Sequence, residues 1–198
     1  MSLLATDSRV KSWAVQDRRV VWGAMPRATN WKKLLKQLND DLLAEAQGES
    51  DFCLAPEVYE RVIADHWLGR PPASEEAIRA AEVRLGISLP ADFRAFLAVS
   101  NGWYGCLMFP NGLAQLLPVE EIQWSHASEA DVDSIVEDHG PDLKGVDLAR
   151  ETLLIGDGDG NESIFLHPGK GPWGVCNWDH EIGLKLFPSF EALMRSRL

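Results

Sequence analysis

The 198-residue sequence predicts an α+β domain with a largely antiparallel sheet. Three observations point that way. Two short amphipathic helices, joined by a glycine-to-proline hinge, fill the stretch from Ser74 to Gly102. A series of short apolar runs separated by glycine- and proline-rich turns follows, from Trp103 to Phe187. A serine-capped amphipathic segment then closes the chain.

In chain order, residues 1 to about 30 fit helix or strand equally: Val10, Trp13, Val20, Val21 and Trp22 suit either, and Pro26 ends whichever forms. A helix is expected from Asn30, with Trp31, Leu34, Leu35, Leu38 and Leu42 on one side and Lys32, Lys33 and Lys36 outside, closed at Gly48. Pro56 starts a shorter one with Val58, Val62 and Ile63 inward, ending near Trp67 and Gly69. Pro71-Pro72 is a stiff boundary. Ser74 then caps a helix with Glu75 and Glu76 near its positive end, Ile78, Ala81 and Leu85 on its apolar face, and Gly86 as a left-handed stop. Pro90 suits the first turn of the next helix, which buries Phe93, Phe96 and Leu97 and ends at the Asn101-Gly102 turn.

Beyond that turn, strands are expected at Trp103–Phe109 and Leu113–Leu117, broken by Pro110-Asn111-Gly112 and stopped by Pro118. Val119–Trp124 reads as a helix start or an irregular edge. Ser128 caps a helix with Val132, Ile135 and Val136 inward, closed by Gly140-Pro141. Thr152–Ile155, Ser163–His167, Trp173–Trp178 and Leu184–Phe187 read as strands, and Ser189 caps a helix that packs Phe190, Leu193 and Met194.

This order of parts, with "LP" at Leu89-Pro90, "NG" at Asn101-Gly102, a strand–glycine loop–strand unit and a final Ser-Phe helix, resembles the SUKH superfamily. That group includes fungal cell-wall-assembly regulators and bacterial toxin-immunity proteins. The resemblance implies helices gathered around a curved, mainly antiparallel sheet over residues 61–198. Residues 1–60 lie outside it and are expected to form a variable helical extension packed on that domain.

Composition narrows the function. The net charge of −11 is uneven: residues 1–36 carry eight Lys or Arg against two Asp, whereas residues 37–198 carry eleven basic groups against twenty-eight acidic ones. An acidic body argues against nonspecific binding to nucleic acid or an anionic membrane, because phosphate binding depends on cations that release counterions. The same charge would steer a basic partner. Cys53, Cys106 and Cys176 are odd in number and widely spaced, as reduced thiols in a cytoplasmic protein would be. No apolar run reaches membrane-span length, and the first residues lack a secretory signal pattern.

Catalytic and metal patterns are weak. Asp157, Asp159 and Asn161 alternate like calcium ligands, but Glu162 stands where the sixth-position glycine is needed and Pro168 where the bidentate glutamate is needed. A flexible acidic hairpin loop is the plainer reading. Asp179-His180-Glu181 lines up three titratable groups after a strand without a visible orienting partner. No HExxH, CxxC, GxSxG, P-loop or GxGxxG occurs, so neither a cofactor nor an enzymatic activity is expected.

The acidic run from Glu120 to Asp147 stands out, with nine carboxylates relieved only by Lys144. Glu129, Asp133 and Glu137 fall on one helix face at four-residue spacing, where like charges cost a few tenths of a kcal/mol per pair. A solvated face accounts for this, and so does a docking surface. Trp124, beside the run, is a candidate contact anchor, whereas Trp103, Trp173 and Trp178 belong among core residues. The candidate partner-binding set is therefore Glu120, Glu121, Trp124, Glu129, Asp133, Glu137, Asp157, Asp159 and Glu162. The resemblance implies a non-catalytic module that binds protein: an immunity protein neutralising a basic nuclease-type toxin, or a regulatory or scaffolding protein with a cellular partner. A small hydrolase using His180 or the Asp157–Glu162 loop is the third reading, and it requires a pocket joining those groups to a nucleophile.

Overall fold

The computed structural model describes residues 29–45, 54–104, 115–127, 132–139, 151–158, 162–168, 173–179 and 183–198. Among these residues the chain forms six α-helices and six strands: α1 (Trp31–Glu45), α2 (Pro56–Asp65), α3 (Glu75–Leu85), α4 (Ala91–Leu97), β1 (Gln115–Leu116), β2 (Gln123–Trp124), α5 (Val132–His139), β3 (Leu153–Asp157), β4 (Glu162–His167), β5 (Gly174–Asp179), β6 (Gly183–Phe187) and α6 (Phe190–Arg195). All strand pairs are antiparallel and run in the order β1-β3-β4-β5-β6, with β2 also on β3. The fold is α+β, as the sequence predicts.

Local sequence sets the helix ends. Ser74 Oγ accepts from Ala77 N–H at 3.0 Å and Ser189 Oγ from Ala192 N–H at 3.1 Å, each satisfying an otherwise unpaired donor of a first turn. Gly86 terminates α3 at φ 70°, a conformation that a Cβ disfavours. Pro90 differs from expectation by one place: it is the extended residue just before α4, which begins at Ala91. Ile63 also departs from expectation. It is 42% exposed, because α2 turns Val62 fully inward and presents the adjacent residue to solvent.

The core joins α1 to the apolar faces of α3, α4, α6 and the sheet. Phe190 is its hub, with ring centroids 4.8 Å from Phe93, 4.9 Å from Phe96 and 5.7 Å from Trp31. Trp31 also meets Phe96 edge-on at 5.8 Å. Asn39 of α1, buried, completes this docking: its Oδ1 accepts from Leu68 N–H at 2.9 Å and its Nδ2 donates to His66 O at 3.0 Å. Such a satisfied polar pair fixes the helix in register as apolar contact alone does not.

The edge of the sheet is discontinuous. β1 pairs with the end of β3 (Leu116 opposite Gly156) and β2 with its beginning (Trp124 opposite Leu153), so the two short strands share one edge. Between them Pro118, which has no N–H for a ladder, diverts the chain into a turn closed by Glu121 N–H to Pro118 O at 2.9 Å. β3 itself shifts register on β4 between Leu154 and Gly156. At Gly156 a side chain would collide with Ile164 Cδ1 and Gln115 O, 2.7 and 2.8 Å from an ideal Cβ. Of the expected Trp103–Phe109 strand, Trp103 forms a bridge with Leu116, and residues 105–114 lie outside the described residues.

Candidate docking surface

The edge turn is where the acidic run becomes a defined surface. Val119 and Ile122 are fully buried, and between them Glu120 and Glu121 are exposed. The turn is fastened from two sides. Arg84, in the last turn of α3, donates from Nη1 to Ile122 O at 2.7 Å and from Nη2 to Val119 O at 3.0 Å. Asn101, from the Asn-Gly turn, accepts from Val119 N–H at 2.7 Å and donates to Glu120 Oε2 at 2.9 Å. A guanidinium bridging two carbonyls is a charge-assisted clamp, so the two carboxylates sit on rigid backbone.

Trp124 follows on β2. Its indole N–H donates to Leu85 O at 3.1 Å and its ring lies parallel to His126 at 6.4 Å. It is half-buried, so part of the side chain ties β2 to the end of α3 while part remains at the surface. In α5, Val132 and Ile135 are buried and Val136 half-buried, as expected, and Glu137 is exposed. Asp133 lies one helical turn before it. Glu129 and Asp159 lie outside the described residues, as do His180 and Glu181.

Two members of the expected acidic loop are strand residues instead. Asp157 ends β3, half-buried, with Oδ1 accepting from Gly158 N–H at 3.0 Å. Glu162 begins β4 and is only 9% exposed, so it does not belong to a solvent-facing loop. Gly158 N–H donates to Glu162 O at 3.1 Å, which closes the hairpin early and draws residue 162 into the ladder. Its register partner is Asp179, also buried, which is the last residue of β5 and not, as the sequence suggests, a residue after the strand.

Other charged groups hold the scaffold. Arg94 bridges Glu75, at 2.7 Å, and Glu82, whose carboxylate also accepts from Leu89 N–H at 2.8 Å. Burial alone would push Glu82 up, but these hydrogen bonds and the Arg94 charge outweigh it and hold the carboxyl below its ordinary 4.5. Burial pushes the Cys176 thiol in β5 up to about 12. Among the described residues, no group of three or more His, Cys, Asp or Glu is arranged to hold a metal, and no helix is long and apolar enough to cross a membrane. Three surface clefts are lined by α1, by the α2–Pro72 segment and by α3, and none of the three includes Asp157, Glu162 or Asp179.

The model of the SMI1/KNR4 family (SUKH-1) matches residues 72–196, well over half of the chain. The chain belongs to this family. The match begins at Pro72, so α1 and α2 precede it and the SUKH-1 part comprises α3 to α6 with the whole sheet. No curated protein matches the chain. Membership in SUKH-1 is consistent with a protein-binding module of the immunity or regulatory kind, in a family that is generally non-catalytic.

Arg84 and Asn101, which hold the acidic turn, carry no sequence signal of that role. Each acts on residues 18 to 38 positions away. The signal that does exist is Pro118, a strand breaker two residues before Glu120-Glu121.

Proposed function

We propose that this SUKH-1 chain is a non-catalytic binding module whose acidic face docks on a basic protein, and that this partner is a nuclease-type toxin that it neutralises. The observation that carries the reading is the Glu120-Glu121 turn, two exposed carboxylates on backbone clamped by Arg84 and Asn101. Around it, residues 37–198 carry twenty-eight acidic groups against eleven basic ones. A toxin's nucleic-acid groove is cationic, so occupancy by this surface blocks substrate, and long-range attraction speeds capture. Trp124 supplies a partly exposed aromatic contact, of the kind that slows dissociation. The proposed contact set also takes in Glu129, Asp133, Glu137, Asp157 and Asp159, whereas buried Glu162 is left out of it. The proposal places the protein in the cytoplasm and divides it into a variable extension, 1–60, and the binding domain, 61–198.

The test is co-expression with the product of the adjacent reading frame, followed by pull-down and a toxicity-rescue assay. Rescue by the wild type, abolished by joint reversal of Glu129, Asp133 and Glu137 to Lys, is the expected result. Rescue unchanged by reversal would remove this face from the mechanism. Binding of a non-toxic cellular protein in place of a toxin would favour the regulatory or scaffolding reading.

A further inference from the structure

A cleft of cationic character lies where the segment preceding the family match meets the domain. It has a volume of about 380 Å³, and its charged lining is Lys32 from α1, Arg61 and Asp65 from α2, and Arg70 from the segment that follows. Trp67 and Pro71-Pro72 form apolar walls. Three cations against one carboxylate is the reverse of the balance over residues 37–198 as a whole.

These cations are positioned without being neutralised. The Arg61 and Arg70 guanidinium carbons lie 4.8 and 4.2 Å from the centroid of the same Tyr104 ring, so one aromatic side chain positions both cations. Among the described residues no carboxylate forms an ion pair with Lys32, Arg61 or Arg70; Gln115 Oε1 accepts from Arg70 Nη2 at 3.3 Å. Arg61 Nη2 and Arg70 Nε are buried and have no acceptor among the described residues. Buried donors on charged groups are normally satisfied, and two orphaned donors on arginines lining one cleft leave these groups short of oxygen acceptors and of negative charge.

We propose that this cleft binds the phosphate group of a small phosphomonoester. A phosphate dianion offers three oxygens and a charge of about −2, which matches two guanidiniums and an ammonium better than a single carboxylate does. The volume lies in the range of small-molecule sites, and the Trp67 and proline walls provide an apolar surface for the rest of the ligand. Most of the lining precedes residue 72, so the site lies largely outside the family-matched region. The proposal does not rest on the acidic docking face.

The test is titration of the full-length chain with inorganic phosphate and with a nucleoside 5′-monophosphate at fixed ionic strength. Readouts are the Trp67 indole N–H resonance and the thermal midpoint, with acetate as the control anion. Saturable binding that moves the Trp67 resonance is expected, with acetate at least about tenfold weaker. Arg61→Gln and Lys32→Gln should each weaken phosphate binding by about tenfold, and Lys32, on the exposed side of α1, can be replaced without disturbing the core. An absence of saturation, equal affinity for acetate, or undiminished binding in the folded Lys32→Gln variant would overturn the assignment. Tighter binding of a single-stranded oligonucleotide than of the monophosphate would equally overturn it as a small-ligand site.

Discussion

Replacing Arg84 by Met removes the clamp on the acidic turn while keeping the side chain's aliphatic stem and its helix propensity. Two charge-assisted hydrogen bonds are lost, at 2.7 and 3.0 Å, and the carbonyls of Ile122 and Val119 lose their guanidinium partner. A hydrogen bond to a charged group contributes about 1.5–3 kcal/mol when its partner is buried. Arg84 itself is exposed and its charge is screened by solvent, so the pair together should be worth about 2 kcal/mol rather than the doubled figure. Urea unfolding of wild type and variant measures this as a lower midpoint at unchanged slope. Arg79→Met is the control: its ion pair with Glu75 is exposed on both sides and should contribute at most about 0.5 kcal/mol. A change in Arg84→Met no larger than in the control would refute the claim that this residue makes the turn rigid.

Other consequences follow from the same contacts. Trp31→Ala should destabilise the protein by about 3–5 kcal/mol, because Trp31 is 4% exposed and packed on Phe96 and Phe190. A loss under about 1 kcal/mol in the same assay would mean that α1 is dispensable to the core. Glu82 and Glu191 both titrate below their ordinary 4.5: burial opposes this, and hydrogen bonds from Arg94 and Leu89 N–H to the first, and from Thr29 and Arg195 to the second, prevail. A lowered native value means that their stabilisation is complete above pH 4.5 and is lost as pH falls through the depressed value. Urea midpoints should therefore drop on acidification, and less steeply in Glu82→Gln; an unchanged pH profile in that variant would contradict the assignment. With its thiol raised to about 12, Cys176 should resist alkylation at pH 8 in native buffer and react once unfolded, as read by mass spectrometry in a Cys53→Ser/Cys106→Ser background.

Local chemistry was legible in the sequence wherever it acts over three or four residues. Ser74, Gly86 and Ser189 set helix ends through their own hydrogen bonds or backbone conformation, and all three stand where expected. The apolar faces of α1 and α4 were readable because helical periodicity places Leu34, Leu35, Leu38 and Phe93, Phe96, Leu97 on one side. Ile63 was not, because Val62 and Ile63 are adjacent and only packing selects which faces in. Glu162 was misplaced for a related reason: a glycine-rich loop does not announce where its ladder resumes, and the Gly158–Glu162 hydrogen bond decides it. Arg84 on Val119 and Ile122, and Arg61 and Arg70 on Tyr104, are meetings of separate segments that no spacing rule reveals.

The most direct measurement is the affinity of the purified chain for the basic product of the adjacent reading frame, taken by calorimetry across a range of sodium chloride concentrations. Capture by the acidic edge requires that Kd weaken by about tenfold or more as salt rises through the physiological range, and that joint Glu120→Lys and Glu121→Lys replacement remove both the binding and its salt dependence. Binding that is indifferent to salt, and equally strong in the charge-reversed protein, would contradict the account.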